Sequence, residues 1–319
     1  MYYLGLDGGG TKTAAVLCDA EGKILRKTRM GPGNIAVLDR GSLAQLIRNI
    51  LAELLQGEKI ESIEWGTFAF AGAGRPEEKK TASELLRGVG LKNFSVLSDG
   101  EILYYSIFGD ETGILIAAGT GSICLLKTKQ GKFKQLGGWG YLLGDEGSGF
   151  DIGRMAIQTV LDDLSTGKKP SGFSDKILRF YGLENPDNLI SIIYSSINPP
   201  NLIASCAKLV SELAELNQPE ATRIIEKATD SLVEYAEQAV HYVGNNSLGS
   251  YNVALAGGIL RKSSYINQRF KEKIEKKGLN FKYWTQDFEP AAAGVVYSFR
   301  QLNRIVPPSL MDALKEIKF

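Results

Sequence analysis

The chain has 319 residues, 44% of them hydrophobic and 23% charged, and its 37 basic and 36 acidic residues leave a net charge of +1 with the single histidine neutral. That balance excludes the basic excess of a nucleic-acid or anionic-membrane partner, and no run approaches the roughly 20 apolar residues of a membrane span. The length fits two domains better than one.

Met1-Tyr2-Tyr3-Leu4-Gly5 enters an apolar, strand-like run at once, without the basic leader of a secreted chain. The first strand covers residues 2–7 and breaks at Gly8-Gly9-Gly10-Thr11-Lys12-Thr13; a second run follows at 14–18, then the turn Asp19-Ala20-Glu21-Gly22 and a third run near Ile24. This is a meander with a glycine turn at its head. Apolar residues at helical spacing (Leu43, Leu46, Ile47, Ile50, Leu51, Leu54) predict a helix over 38–55. A strand at 65–71, the loop Gly72-Ala73-Gly74, a helix at 77–89 and a strand at 94–97 running into Ser98-Asp99-Gly100 complete the order βββαβαβα.

The same pattern returns 109 positions later: Gly10, Thr11, Gly22 and Lys23 map onto Gly119, Thr120, Gly131 and Lys132, and Thr13 maps onto Ser122. The apolar runs 14–17 and 123–126 superpose as well, which points to an internal duplication. A glycine-dense stretch, 137–149, then leads into a mainly helical insertion over about 150–244, broken at Asn198-Pro199-Pro200. A strand at 252–255 closes on Ala256-Gly257-Gly258, a helix spans 263–277 with a solvated charged face, and a last strand at 280–283 leads to Glu289-Pro290-Ala291-Ala292-Ala293-Gly294 and another helix. The expected fold is α/β, two domains related by duplication with a cleft between them. The first covers 1–113, with a C-terminal helix at about 308–319 packing back on it; the second covers 114–307 and carries the insertion.

His241 falls inside the helical run 232–243 and reads as an ordinary helix residue, so neither a histidine-rich zinc site nor a Ser-His-Asp triad is available. Cys18, Cys124 and Cys206, scattered and without Cys-x-x-Cys spacing, read as reduced, buried residues of a cytoplasmic protein. Asn245-Asn246-Ser247 matches a glycosylation acceptor, which means nothing without a secretion signal. Chemistry is left to carboxylates, backbone amides and a bound cofactor or metal. Glycine turns between antiparallel strands present backbone N–H groups with no side chain in the way, an anion cradle. Thr11, Lys12 and Thr13 add donors to the first turn, and Thr120 and Ser122 to the second. Two such cradles facing each other suit the polyphosphate of a nucleoside triphosphate. Asp7, a carboxylate at the end of a buried strand beside a phosphate cradle, would be repelled unless a cation lay between, so it is the candidate for holding Mg²⁺ through water. Neither a Gly-x4-Gly-Lys-Ser/Thr loop nor a dinucleotide fingerprint is present.

Asp7-Gly8-Gly9-Gly10-Thr11-Lys12-Thr13 and Ala118-Gly119-Thr120-Gly121-Ser122 resemble the two phosphate motifs of the actin, Hsp70 and sugar-kinase superfamily. Gly137-Gly138-Trp139-Gly140-Tyr141-Leu142-Leu143-Gly144-Asp145-Glu146-Gly147-Ser148-Gly149 resembles more specifically the N-acetylglucosamine and glucosamine kinase branch of the BadF/BadG/BcrA/BcrD ATPase family. Ala256-Gly257-Gly258 resembles the adenosine motif and 289–294 the closing motif. The resemblance implies two actin-like (ribonuclease H-like) ATPase domains, ATP and Mg²⁺ as cofactors, and transfer of the γ-phosphoryl group to a hydroxyl, O6, of an amino sugar. It places ATP at Gly9, Gly10, Thr11, Lys12, Thr13, Gly119, Thr120, Gly121, Gly257 and Gly258, the general base at Asp99, and sugar contacts at Asn34, Asp99, Gly138, Trp139 and Asp145. Family members often carry alanine where this chain has Gly100, and vertebrate kinases place a serine near the loop that here reads Ala71-Gly72-Ala73-Gly74. Two rivals stand beside this reading. An ATPase activator of a 2-hydroxyacyl-CoA dehydratase needs cysteines in a cluster loop, and none of the three lies in one. A non-catalytic actin-like nucleotide switch leaves the Gly-Gly-Trp-Gly string unexplained. The helical insertion offers a surface for a homodimer.

Overall fold

The computed structural model describes residues 1–128, 130–167, 172–243 and 249–319; Asn245, Asn246 and Ser247 lie outside the described residues. The chain opens with β1 (Tyr2–Gly8), β2 (Thr13–Asp19) and β3 (Ile24–Met30), followed by α1 (Arg40–Leu55), β4 (Ile63–Phe70), α2 (Pro76–Gly88), β5 (Phe94–Ser98) and α3 (Asp99–Phe108). A second meander follows, β6 (Ile114–Ala118), β7 (Ser122–Lys127) and β8 (Phe133–Leu136). The insertion holds α4 (Gly149–Ser165), α5 (Gly172–Phe180), α6 (Asn188–Tyr194), α7 (Pro199–Ser205), α8 (Ala207–Glu215) and α9 (Pro219–Val243). The chain ends with β9 (Tyr251–Ala256), α10 (Gly257–Lys262), α11 (Ser264–Lys276), β10 (Phe281–Trp284), α12 (Pro290–Gln301) and α13 (Pro308–Lys315).

The strands form two five-stranded sheets, ordered β3-β2-β1-β4-β5 and β10-β9-β6-β7-β8. Read from the meander outward, the second order repeats the first with β6 in the place of β1 and β10 in the place of β5. The directions repeat too: β2 and β7 pair antiparallel with β1 and β6, while β4 and β9 pair parallel with them. The duplication seen in the glycine turns is therefore a duplication of whole sheets. The chain divides into two compact units, Met1–Glu111 with Thr285–Phe319, and Thr112–Trp284.

In the first unit the pleat sorts side chains by parity. Leu4 and Leu6 of β1 and Ala15 and Leu17 of β2 face a core made with α1 and α2. Tyr3 of β1 and Ala14, Val16 and Cys18 of β2 face a separate core made with α12 and α13. The expected boundary left residues up to 307 with the second domain; instead 285–307 join the first unit, because α12 lies across β1 and β4. Its apolar face packs on Tyr3, and buried Ser298 donates its hydroxyl to the Leu4 carbonyl at 2.9 Å. The approach is so close that a Cβ on Gly5 would overlap the Ala291 carbonyl oxygen and one on Gly294 would come within 2.9 Å of the Gly5 Cα. Both obstacles are backbone, so Gly5→Val is expected to lower stability by at least about 1–3 kcal/mol, the usual cost of overpacking, measured as a reduced urea midpoint at unchanged m.

In the second unit, one face of the sheet (Ile114, Ile116, Ala118, Cys124, Leu126) packs with α4 to α9 in a single core. His241 sits exposed in the last turn of α9, as its helical context predicted. Cys18, Cys124 and Cys206 are all buried, and among the described residues no group of three metal-ligating side chains comes together. No helix among them is long and apolar enough to cross a membrane.

Candidate active site

Strands β1, β4 and β5 run parallel, with Gly8 opposite Phe70 and Phe70 opposite Ser98. Their carboxyl ends, where open α/β sheets bind ligands, bring Asp7, the 71–74 loop and Asp99 to one edge of the first sheet. Asp7 and Asp99 are two strand spacings apart, about 10 Å between backbones. The hairpin after β1 closes through Gly9 N–H to the Lys12 carbonyl at 2.9 Å. Gly10 needs neither a left-handed backbone nor space for a neighbour: its φ is not positive, and a Cβ built there meets nothing within 4 Å. The space in front of Gly10 is therefore open. Thr11 is exposed and Lys12 half-buried, whereas Thr13 lies fully buried under the turn against Gly33, its hydroxyl without a hydrogen-bond partner.

The loop carrying Asn34 is tied to this edge. Gly33 N–H donates to the Gly9 carbonyl at 2.9 Å, Ile35 N–H to Ala71 at 3.0 Å, and Ala71 N–H to Gly8 at 2.8 Å. Asn34 Oδ1 accepts from Ala36 N–H at 2.8 Å, an Asx turn that fixes the side chain and leaves the amide nitrogen without a protein partner among the described residues. Gly72, at φ +83°, passes so close that a Cβ would fall 2.8 Å from Asn34 Oδ1. A serine in place of Gly72 would therefore be excluded twice, by backbone and by space.

Asp99 stands directly after β5, where a capping role is the ordinary expectation. Ser98 takes that role instead: its hydroxyl accepts from Glu101 N–H at 3.1 Å and Glu101 Oε2 accepts from Ser98 N–H at 2.7 Å, a closed capping box. The cap is thus filled without Asp99, whose Oδ1 accepts from Gly100 N–H at 2.9 Å. It reaches solvent yet is closely surrounded by protein, and desolvation holds its carboxyl above the ordinary range against the pull of that amide bond. Asp7 is pushed up to about 7, first by burial, then by the charge of Asp99, with Lys12 opposing and Glu289, at the start of α12, adding to the rise. Three carboxylates and one ammonium thus define an electrostatically loaded edge.

The second unit repeats the hairpin. Gly119 N–H donates to the Gly121 carbonyl at 2.8 Å, and the carbonyls of Gly119 and Thr120 accept from Gly149 and Phe150 N–H at 2.7 and 3.0 Å, pinning the turn to the start of α4. Gly258 is open space, and Gly257 (φ +82°) lies hard against the Ala118 backbone, so the start of α10 sits beside the hairpin. Asp145 is buried at φ +72°, a strained conformation for a non-glycine residue, with its carboxylate packed on Gly121. Desolvation raises its pKa, and backbone bonds from Ser122 and Gly140 oppose the rise. The Ser122 hydroxyl donates to the Glu146 carbonyl at 2.8 Å, and Tyr235 donates to Glu146 Oε2 at 2.6 Å. Trp139 is 49% exposed rather than in the core and lies against Gly144; Gln135 Nε2 donates to the carbonyls of Gly137 and Gly138 at 2.9 and 3.1 Å. The first unit therefore gathers Asp7, Gly9, Gly10, Thr11, Lys12, Asn34 and Asp99. The second gathers Gly119, Thr120, Gly121, Asp145, Gly257 and Gly258, with Gly138 and Trp139 on the neighbouring loop. Two features escaped the sequence reading. The Lys79–Glu101 ion pair has no local signal, although Ser98-x-x-Glu101 is a recognisable capping box. The strain at Asp145 has none at all.

A duplicated meander sheet with a glycine hairpin at the head of each copy is the actin-like ATPase architecture. The protein belongs to the BadF/BadG/BcrA/BcrD ATPase family, whose model matches residues 4–296. The chain is 30% identical over 287 residues to an N-acetylmuramic acid/N-acetylglucosamine kinase of Clostridium acetobutylicum, covering 88% of this chain and 91% of that one. It is 25% identical over 294 residues to an N-acetyl-D-glucosamine kinase of Dictyostelium discoideum, covering 85% and 89%. A solved structure from Chromobacterium violaceum, described as an N-acetylglucosamine kinase, shares the fold with a TM-score of 0.75 at 22% identity, covering 92% of this chain and 98% of that one. The family resemblance read from the motifs is borne out, and with it the class of enzyme, an ATP-dependent sugar kinase.

Proposed function

We propose that this protein transfers the γ-phosphoryl group of ATP to O6 of an amino sugar such as N-acetylglucosamine or glucosamine, with Asp99 as general base. The observation that carries the reading is the release of Asp99 from capping: a carboxylate with a raised pKa at the carboxyl end of β5, its helix end already satisfied by Ser98 and Glu101. Phosphoryl transfer asks for positioning and charge neutralisation more than covalent chemistry. Asp99 takes the proton from the attacking hydroxyl as its oxygen bonds to phosphorus and the bond to the leaving nucleoside diphosphate breaks. A primary hydroxyl is the least hindered partner for such a carboxylate. The open glycines Gly10 and Gly258 and the donors Thr11, Lys12 and Thr120 support nucleotide binding, the hairpin amides meeting phosphate oxygens.

Mg²⁺ fits Asp7. That carboxylate lies among like charges that a cation relieves, and a single carboxylate suits an ion that keeps most of its water. When bound, Mg²⁺ would neutralise phosphate charge. Asn34 supports selection of an amino sugar: its fixed, unpartnered amide nitrogen can donate to the acyl oxygen of an N-acetyl substituent. The clustering of Asp145 at the second hairpin supports a role for it nearer the phosphates than its assignment as a sugar contact implies.

Coupled ATP-consumption assays over a panel of glucose, glucosamine, N-acetylglucosamine and N-acetylmuramic acid test the reading. At least one amino sugar should exceed glucose in kcat/KM by about 10²-fold or more, because glucose leaves a site polar group unpaired. Asn34→Ala should narrow that ratio. Equal use of glucose would remove the amino-sugar half of the reading, and no sugar-dependent ATP consumption would remove both halves.

A further inference from the structure

Lys79, in the first turns of α2, has no place in the reaction described above, yet its ammonium meets both oxygens of Glu101 at 2.7 and 2.6 Å. The pair is shielded, with the two side chains 30% and 13% exposed. Glu101 Oε2 in turn accepts from Ser98 N–H at 2.7 Å and closes the capping box whose next residue is Asp99. We propose that Lys79 is a positioning residue for Asp99: through Glu101 it anchors the first turn of α3 and neutralises the negative charge nearest the catalytic carboxylate on its own helix. This rests on Asp99 being the general base.

Two consequences follow from the geometry. The capping box alone would hold the helix end with a bare carboxylate, and that charge would bear on Asp99 two residues away; the ammonium of Lys79 offsets part of it while adding two charge-assisted bonds. The link also ties α2, which follows the 71–74 loop packed on Asn34, to the helix bearing Asp99. From the other side Asp99 faces Asp7 of β1, itself beside Lys12 of the hairpin and Glu289 at the start of α12. Glu101 is a further negative charge near Asp99, and Lys79 is the cation paired with it. Glu101 already contributes to holding the Asp99 carboxyl above its ordinary range, after desolvation.

Removing either partner should therefore move the acid limb of kcat/KM for the sugar in opposite directions. Lys79→Met keeps the aliphatic stem but leaves Glu101 charged. Asp99 is then harder to ionise, and the limb should rise by about half to one pH unit, with kcat at neutral pH lower by about tenfold from loosened positioning. Glu101→Gln keeps an acceptor for Ser98 N–H, removes the negative charge and leaves Lys79 positive, so the limb should fall by a similar amount. Lys79→Arg should restore the wild-type profile, and the KM for ATP should stay unchanged in all three variants. A merely structural pair would shift both profiles alike or not at all, and either outcome overturns the proposal. Asp99→Asn in the same series separates the two failures. If it turns over normally, the base assignment falls; if it is inactive while Lys79→Met and Glu101→Gln keep the wild-type limb, only the role of Lys79 falls.

Discussion

Asp99→Asn is expected to lower kcat for amino-sugar phosphorylation by about 10²–10⁴-fold, the usual worth of a positioned general base, with nucleotide affinity nearly intact. The substitution keeps size and shape and retains an oxygen able to accept from Gly100 N–H. The helix should not notice the change, because its first turn is held by Ser98 and Glu101. What is lost is the acceptor for the hydroxyl proton. Steady-state rates with saturating sugar, alongside equilibrium nucleotide binding, separate a lost base from a lost fold; a parallel drop in ATP affinity would show that Asp99 serves the nucleotide instead.

The second large effect concerns Asp7. Asp7→Asn should weaken use of the metal–nucleotide complex by about 10–100-fold, as for a group that acts on the ion through its bound waters, and raised Mg²⁺ should recover part of the loss. The physical reason is the crowding of negative charge. Burial and the neighbouring Asp99 push Asp7 up to about 7, and Lys12 only partly offsets them. Asparagine relieves that repulsion in the empty protein, so the variant should be at least as stable as wild type while using Mg²⁺ less well. Thermal unfolding and activity across a Mg²⁺ titration check both halves. Loss of activity with no response to Mg²⁺ would remove Asp7 from the metal's surroundings.

The parts of this fold legible in the sequence are those with local causes. The hairpin at Gly8–Lys12 and its copy at 119–121 announce themselves through glycine in a strand pattern, and the fivefold correspondence 109 positions apart anticipated the repeated sheet order. The helix over Arg40–Leu55 starts two residues later than its periodicity indicates because Asp39 caps it, accepting from Ser42 N–H at 3.0 Å. The parts not legible depend on residues far apart in the chain. Nothing near Pro290 says that α12 will pack on the first sheet; the reason is the mutual fit of Gly294 and Gly5, nearly the whole chain away. At the site, Asp99 and Asn34 could be proposed only from family motifs, since a carboxylate after a strand reads equally well as a cap. The structure shows that Ser98 and Glu101 fill the cap and that Lys79 pairs with Glu101, which supports the proposed role of Asp99. For Asp145 the motif implies a sugar contact, and what the sequence could not show is its left-handed backbone and its packing on Gly121.

The most direct test of the account is single-turnover transfer of label from γ-labelled ATP to N-acetylglucosamine, glucosamine or N-acetylmuramic acid, run for wild type and Asp99→Asn at saturating Mg²⁺. The account predicts labelled 6-phosphate from wild type with at least one of these sugars, and the same product from Asp99→Asn at a rate lower by about 10²–10⁴-fold with ATP still bound. Transfer by Asp99→Asn at near the wild-type rate, or no label on any amino sugar from wild type, would contradict it.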